Sequence, residues 1–116
     1  MENSSLKIRS RLWIVDQDKT FLGEGRIRIL LAIEKHGSIS KAANSMNMSY
    51  LKAWNLVDSM NSTSKKPLVI TSSGGKGGGG TALTDEGKKA IAFFTELNNK
   101  CQDFLDVEFD KLIKQF

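Results

Sequence analysis

Six glycines and one lysine fill seven consecutive positions, Gly74-Gly75-Lys76-Gly77-Gly78-Gly79-Gly80. Such a run brings no apolar side chains to a core, and its backbone freedom makes it costly to hold in a helix. The strand-like run Leu68-Val69-Ile70-Thr71 leads in, and Thr81-Ala82-Leu83-Thr84 leads out. Those flanks predict a hairpin with a bare, positively charged tip rather than a flexible linker. Just upstream, a segment rich in Ser, Ala and Lys reads as two short helices. Two short helices followed by such a hairpin describe a winged helix, and therefore a candidate DNA-binding chain.

The rest of the pattern supports this architecture. Leu6, Ile8, Leu12 and Ile14 alternate with Lys7, Arg9, Arg11 and Trp13, which predicts a strand interrupted at Ser10. Asp16-Gln17-Asp18-Lys19 has turn chemistry, so Thr20-Phe21-Leu22 is expected to pair back. A first helix is expected over residues 24–35, ended by Gly37, with His36 as a helix-end residue. Ser40 is expected to cap a short second helix containing Ala42 and Ala43, whose small side chains allow close helix approach. Asn47 suits a left-handed turn and Ser49 a second cap. The next helix is predicted over residues 50–61, with Ala53, Val57 and Met60 on its buried side. Thr84-Asp85-Glu86 then caps a helix running to the C-terminus. Its stripe comprises Ala90, Phe94, Leu97, Cys101 and Phe104, continued after a one-residue shift by Leu105, Phe109, Leu112 and Phe116.

The expected class is α+β, mainly α: a winged helix-turn-helix with an N-terminal strand or hairpin and a long C-terminal dimerisation helix. The winged region spans residues 1–83, with the wing at 67–83. Residues 84–116 form the long helix of the same single domain. At ~1.5 Å per residue that helix would extend about 50 Å, beyond one small core. A second copy covering the stripe is one solution, with Phe94, Leu97, Cys101, Phe104, Leu105, Phe109 and Leu112 in the seam. The other is a helix that breaks and folds back.

Composition narrows the function. The chain of 116 residues carries a net charge of +4. Residues 1–83 hold 12 Lys/Arg against 6 Asp/Glu, and residues 84–116 hold 5 against 7. A polyanion would be drawn to the first region, although an ordinary lysine-decorated surface gives the same count. One Cys and one His exclude an internal disulfide and a His/Cys structural zinc site, and a reducing cytoplasm is expected. No apolar run is long enough to span a bilayer, so no membrane partner is expected. Gly75-x-Gly77-x-x-Gly80 fits a dinucleotide fingerprint only formally, since any polyglycine does, and no Gly-Lys-Ser/Thr is present. A nucleophilic catalytic set is not available either. Cys101 sits in an apolar stripe and reads as a packed thiol, and the chain is expected not to be an enzyme.

Gly37-Ser38-Ile39-Ser40-Lys41-Ala42-Ala43, Met48-Ser49-Tyr50-Leu51-Lys52-Ala53-Trp54, and the glycine run followed by Leu83-Thr84 and Gly87 resemble the DNA-binding domain of ModE-type molybdate-responsive regulators. More loosely they resemble the winged helix of LysR-type regulators. The resemblance covers roughly residues 21–91. It implies a homodimer on palindromic duplex DNA, with the transcription machinery as a further partner. The best-known regulators of this type carry C-terminal sensor domains for molybdate or tungstate. This sequence stops at Phe116, where such a sensor would begin, so neither oxyanion nor any other cofactor is expected. The chain reads as a stand-alone regulator or a fragment.

Within this frame the second helix of the motif enters the major groove by its N-terminal end. Ser49 can cap the helix or touch phosphate. Tyr50 and Lys52 suit phosphate or base edges, and Asn55 suits bidentate adenine contact. Trp54 adjoins both faces and reads mainly as packing. Ser38, Ser40 and Lys41 lie where the preceding helix would meet the backbone. Lys76 is placed to reach a groove or phosphate from the wing tip, where Gly74, Gly75, Gly77, Gly78, Gly79 and Gly80 permit close approach. Lys65 and Lys66 are weaker phosphate candidates. A winged-helix protein-interaction or dimerisation module without DNA binding is the alternative.

Overall fold

A computed structural model describes residues 5–75 and 78–116. The chain is an α+β, mainly helical winged helix-turn-helix. Its order is β1 (Trp13–Asp16), β2 (Lys19–Gly23), α1 (Glu24–His36), α2 (Ile39–Ser45), α3 (Tyr50–Thr63), β3 (Val69–Gly75), β4 (Gly78–Leu83) and α4 (Asp85–Ile113). β1 pairs antiparallel with β2, and β3 with β4, as two separate two-stranded sheets.

The first hairpin turns through Gln17 and Asp18, at φ 48° and 70°. Two left-handed residues are what a two-residue turn of this hand requires. Pairing starts at Trp13, opposite Gly23, with a bulge between Ile14 and Val15. The strand expected from Leu6 is thus shorter. β2 passes directly into α1 after Gly23, so residues 6–12 have no sheet partner. Residues 6–10 lie along α4 instead: Gln102 Nε2 donates to the Ile8 carbonyl at 2.9 Å, and Ser10 Oγ lies 3.9 Å from Cys101 Sγ.

α1 buries Ile27, Ile29, Leu30 and Ile33 and stops at Gly37, whose φ of 73° is left-handed and whose N–H donates to the Ile33 carbonyl at 2.8 Å. The cap of α2 is Ser38 rather than the expected Ser40: its Oγ accepts the Lys41 N–H at 3.0 Å. Ser38 is extended immediately after Gly37, so the helix begins at Ile39, which is buried in the core. Asn47 takes the left-handed turn at φ 52°. Ser49 caps α3 by accepting the Lys52 N–H at 3.1 Å. Ala53, Val57 and Met60 form the buried side of α3.

Asn61 does not end α3. The helix continues to Thr63, and the Asn61 side chain joins it to β3. Oδ1 accepts the Leu68 and Val69 N–H groups at 2.8 and 3.2 Å, and Nδ2 donates to the Val69 carbonyl at 2.9 Å. The opposite strand is held as well: the Thr81 N–H donates to the Gly37 carbonyl at 2.9 Å. β3 and β4 run further into the glycines than their flanks suggested, with Ser72 opposite Gly80 and Gly75 opposite Gly78. Glycine backbones pair like any others, and the Gly80 N–H donates to Ser72 Oγ at 3.2 Å. Lys76 and Gly77, both expected at the wing tip, lie outside the described residues.

Thr84 Oγ1 accepts the Gly87 N–H at 3.1 Å and donates to the Pro67 carbonyl at 2.7 Å. This locks the start of α4 against the start of β3. A Cβ at Gly87 would fall well inside contact distance of the Leu68 carbonyl oxygen, so only glycine fits there unmoved. α4 then runs unbroken for 29 residues, about 44 Å. The fold-back alternative does not occur, and the molecule measures 65 × 28 × 22 Å. Only Gly87, Ala90 and Phe94 of α4 are buried.

The α4 stripe therefore divides. Phe94 belongs to its own core, at 5% exposure, and not to an open seam. Cys101 and Phe109 are partly covered by the chain's own residues 6–10. Leu105 is also partly buried. Leu97, Phe104 and Leu112 remain exposed, and Phe93 and Val107 join them. The sequence spacing could not separate these two faces, because both repeat at helical intervals.

Candidate nucleic-acid interface

The first turn of α2, the N-terminal half of α3 and the base of the second hairpin converge on one groove of about 390 Å³. Ser38 caps α2 and Ser40 lies in its first turn, Tyr50 and Trp54 come from α3, Ser72 from β3 and Gly80 from β4. Capping explains the local geometry. Ser38 and Ser49 each satisfy a free N–H at a helix start, which fixes where α2 and α3 begin and so where their first turns point. Residues 50 and 54 are four apart, so Tyr50 and Trp54 share one side of α3. Ala53, Val57 and Met60 anchor the other side in the core.

Tyr50 is 55% exposed, Leu51 66% and Trp54 44%, so α3 presents large side chains outward near its start. Asn55 and Lys52 are exposed as well. Trp54 was expected mainly to pack; it instead lines the groove beside Tyr50. The Ser49 oxygen is engaged in capping, which leaves its hydroxyl hydrogen as the group free for phosphate. Lys41 is exposed on the outer side of α2.

Not every candidate gathers here. Lys52 points to the opposite flank of α3, into a cleft with Arg11, Arg26 and Arg28. Lys65 and Lys66 are exposed beyond the C-terminal end of α3. At 1.5 Å per residue they sit roughly 20 Å along that helix from Tyr50, far from the groove. α3 runs two residues past its expected end, to Thr63, and Lys65 and Lys66 follow it. Gly74, Gly75, Gly78 and Gly79 are strand residues of the second hairpin.

Several contributors gave no local signal. Arg26 Nη1 donates to Ser59 Oγ at 3.0 Å and ties α1 to α3. Partial burial lowers its pKa from the ordinary value, though a guanidinium stays charged at neutral pH. Arg11 and Glu24 form an exposed pair at 3.8 Å. The alternation of basic residues ahead of β1 was the one available hint, and it did not reveal which helix those residues would flank.

The family model for bacterial regulatory helix-turn-helix proteins of the lysR family matches residues 25–88. The chain is 45% identical over 87 residues to the molybdenum transport protein ModE of Azotobacter vinelandii, covering 75% of this chain and 32% of that protein. It is 39% identical over 94 residues to the DNA-binding transcriptional dual regulator ModE of Escherichia coli K12, covering 81% and 36% respectively. It thus spans about a third of the length of these curated relatives. A solved Lactococcus lactis ZitR variant aligns with a TM-score of 0.47 at 16% identity, over 94% of this chain and 82% of that one, a likeness too slight to bear on function.

Proposed function

Since the chain belongs to the lysR family of bacterial regulatory helix-turn-helix proteins, we propose that it is a sequence-specific duplex-DNA-binding transcription regulator that acts as a homodimer on a palindromic operator. The observation that carries this reading is the single groove shared by the α2 start, the outward side of α3 and the base of the wing. An α-helix with exposed Tyr50, Leu51 and Asn55 at its leading end suits a major groove about 12 Å wide. Asn55 would read a base edge, Tyr50 and Ser49 would meet phosphate or base, and Ser38, Ser40 and Lys41 would meet the backbone. The glycine wing carrying Lys76 would follow an adjacent groove. No step of this function requires catalysis or a cofactor.

Support for the homodimer comes from α4. Phe93, Leu97, Phe104, Val107 and Leu112 are exposed along one rod. Exposed apolar stripes of this kind are usually covered by another surface. A second copy covering them would give the two reading helices the two-fold relation that a palindrome matches.

Selection of bound sequences from a random duplex pool tests the reading. The expected result is a palindromic consensus whose affinity falls steeply with salt. A pool that shows no enrichment, from protein that sediments as a folded species, would refute it.

A further inference from the structure

A second recess lies on the other flank of α3, and the interface described above does not use it. The β1–β2 hairpin, the first turns of α1 and the N-terminal half of α3 enclose a cleft of about 400 Å³. Four cations line it: Arg11 from the extended N-terminal segment, Arg26 and Arg28 from α1, and Lys52 from α3. Among its described lining residues Glu24 is the one carboxylate. It pairs only with Arg11, at 3.8 Å, and both side chains are more than half exposed, so the pair is weak. The cleft therefore keeps most of a fourfold positive lining. Trp13, 62% exposed, stands at its edge.

We propose that this cleft is a second phosphate-binding site, which grips the sugar–phosphate backbone of the duplex on the side of α3 away from the wing. The inference rests on the DNA-binding reading above. Two features point to a duplex. The first is continuity, since Lys52 and the groove residues Tyr50 and Trp54 stand on the same first two turns of α3 but on opposite flanks. A helix seated in a major groove has one backbone on each side, so phosphates fall on both flanks at once. The second is charge. Arg28 and Lys52 are exposed and free to turn toward phosphate, Arg11 is exposed and held only by its weak pair with Glu24, and Arg26 is braced by Ser59. Trp13 would pack against sugar.

The test uses the selected duplex and three proteins: wild type, Arg11→Gln/Arg28→Gln, and the charge-matched control Lys89→Gln/Lys114→Gln on α4 and its C-terminal cap. Affinity is measured across a salt series. Each phosphate that is no longer neutralised should reduce the slope of log K against log salt by about 0.9, hence about 1.8 for each protomer of the double variant and about 3.6 for a bound dimer, with no change in the control. Hydroxyl-radical footprinting should show the backbone flanking the α3 site newly open to cleavage, with the wing-side protection retained. Both substituted arginines are exposed, and matched melting curves would establish that the variants fold. A double variant with the wild-type slope overturns the cleft assignment alone. A wild type that binds no duplex overturns both this proposal and the DNA-binding reading. A double variant that keeps its DNA slope but no longer binds inorganic phosphate would make the cleft a small-anion site and also overturn the proposal.

Discussion

Replacing Asn61 by Ala should be the most costly single polar substitution in this chain. The Asn61 amide makes three hydrogen bonds to the start of β3, at 2.8, 2.9 and 3.2 Å. Leu68 and Val69, whose backbones it serves, are almost fully buried. Water cannot readily replace the missing partners there. At about 0.5–1.5 kcal/mol for each bond, the loss sums to about 3 kcal/mol. Against a total stability on the order of 5–15 kcal/mol, that is a large fraction. At about 4 °C per kcal/mol for a chain of this size, the melting temperature should fall by about 12 °C. Asn61→Asp should fall between wild type and Ala: it keeps both acceptor bonds but sets an oxygen against the Val69 carbonyl. Urea unfolding followed by circular dichroism, at one fixed protein concentration, measures the difference. Thr63→Ala, which removes only a hydroxyl bond back to Ser59 within the same helix, serves as reference. If Asn61→Ala unfolds at the same urea midpoint as Thr63→Ala, the amide is not what joins α3 to the wing.

Gly87→Ala should destabilise by about 1–3 kcal/mol, since the Leu68 carbonyl is backbone and cannot swing aside. This opposes the gain of roughly 1 kcal/mol that alanine brings to an ordinary helix position, and thermal melting gives the sign directly. Asn55→Ala should relax base preference in repeated pool selection by about 1–3 kcal/mol at one position, whereas Lys76→Ala should weaken all sequences alike. An unchanged consensus for Asn55→Ala would remove its base-reading role. Phe104→Asp should convert dimer to monomer in sedimentation equilibrium and weaken operator binding, with the melting curve of the winged region little altered; a variant that still sediments as a dimer would take Phe104 out of the seam.

What the sequence disclosed was what is decided locally. Gly37 and Asn47 were readable because a left-handed backbone favours those residue types. Ser49 and Thr84 were readable because a cap needs only its own first turn. The α2 cap was misplaced from Ser38 to Ser40 because two serines flank Ile39, and only the burial of Ile39 decides between them. Phe94 looked like part of an intersubunit stripe because periodicity records which residues share a face and not what covers it. The cationic cleft was invisible for a stronger reason: Arg11, Arg28 and Lys52 meet only after β1, β2, α1 and α2 have folded between them. Trp54 needed the wing in place before its role could be seen.

The wing is moored at its root on both sides, one strand through Asn61 and the other through the Thr81–Gly37 bond. Spacing between α3 and the hairpin is therefore set below Ser72 and Gly80, independently of how many glycines lie further out. Lengthening or trimming that outer stretch would change how far the hairpin projects without shifting its root against α3.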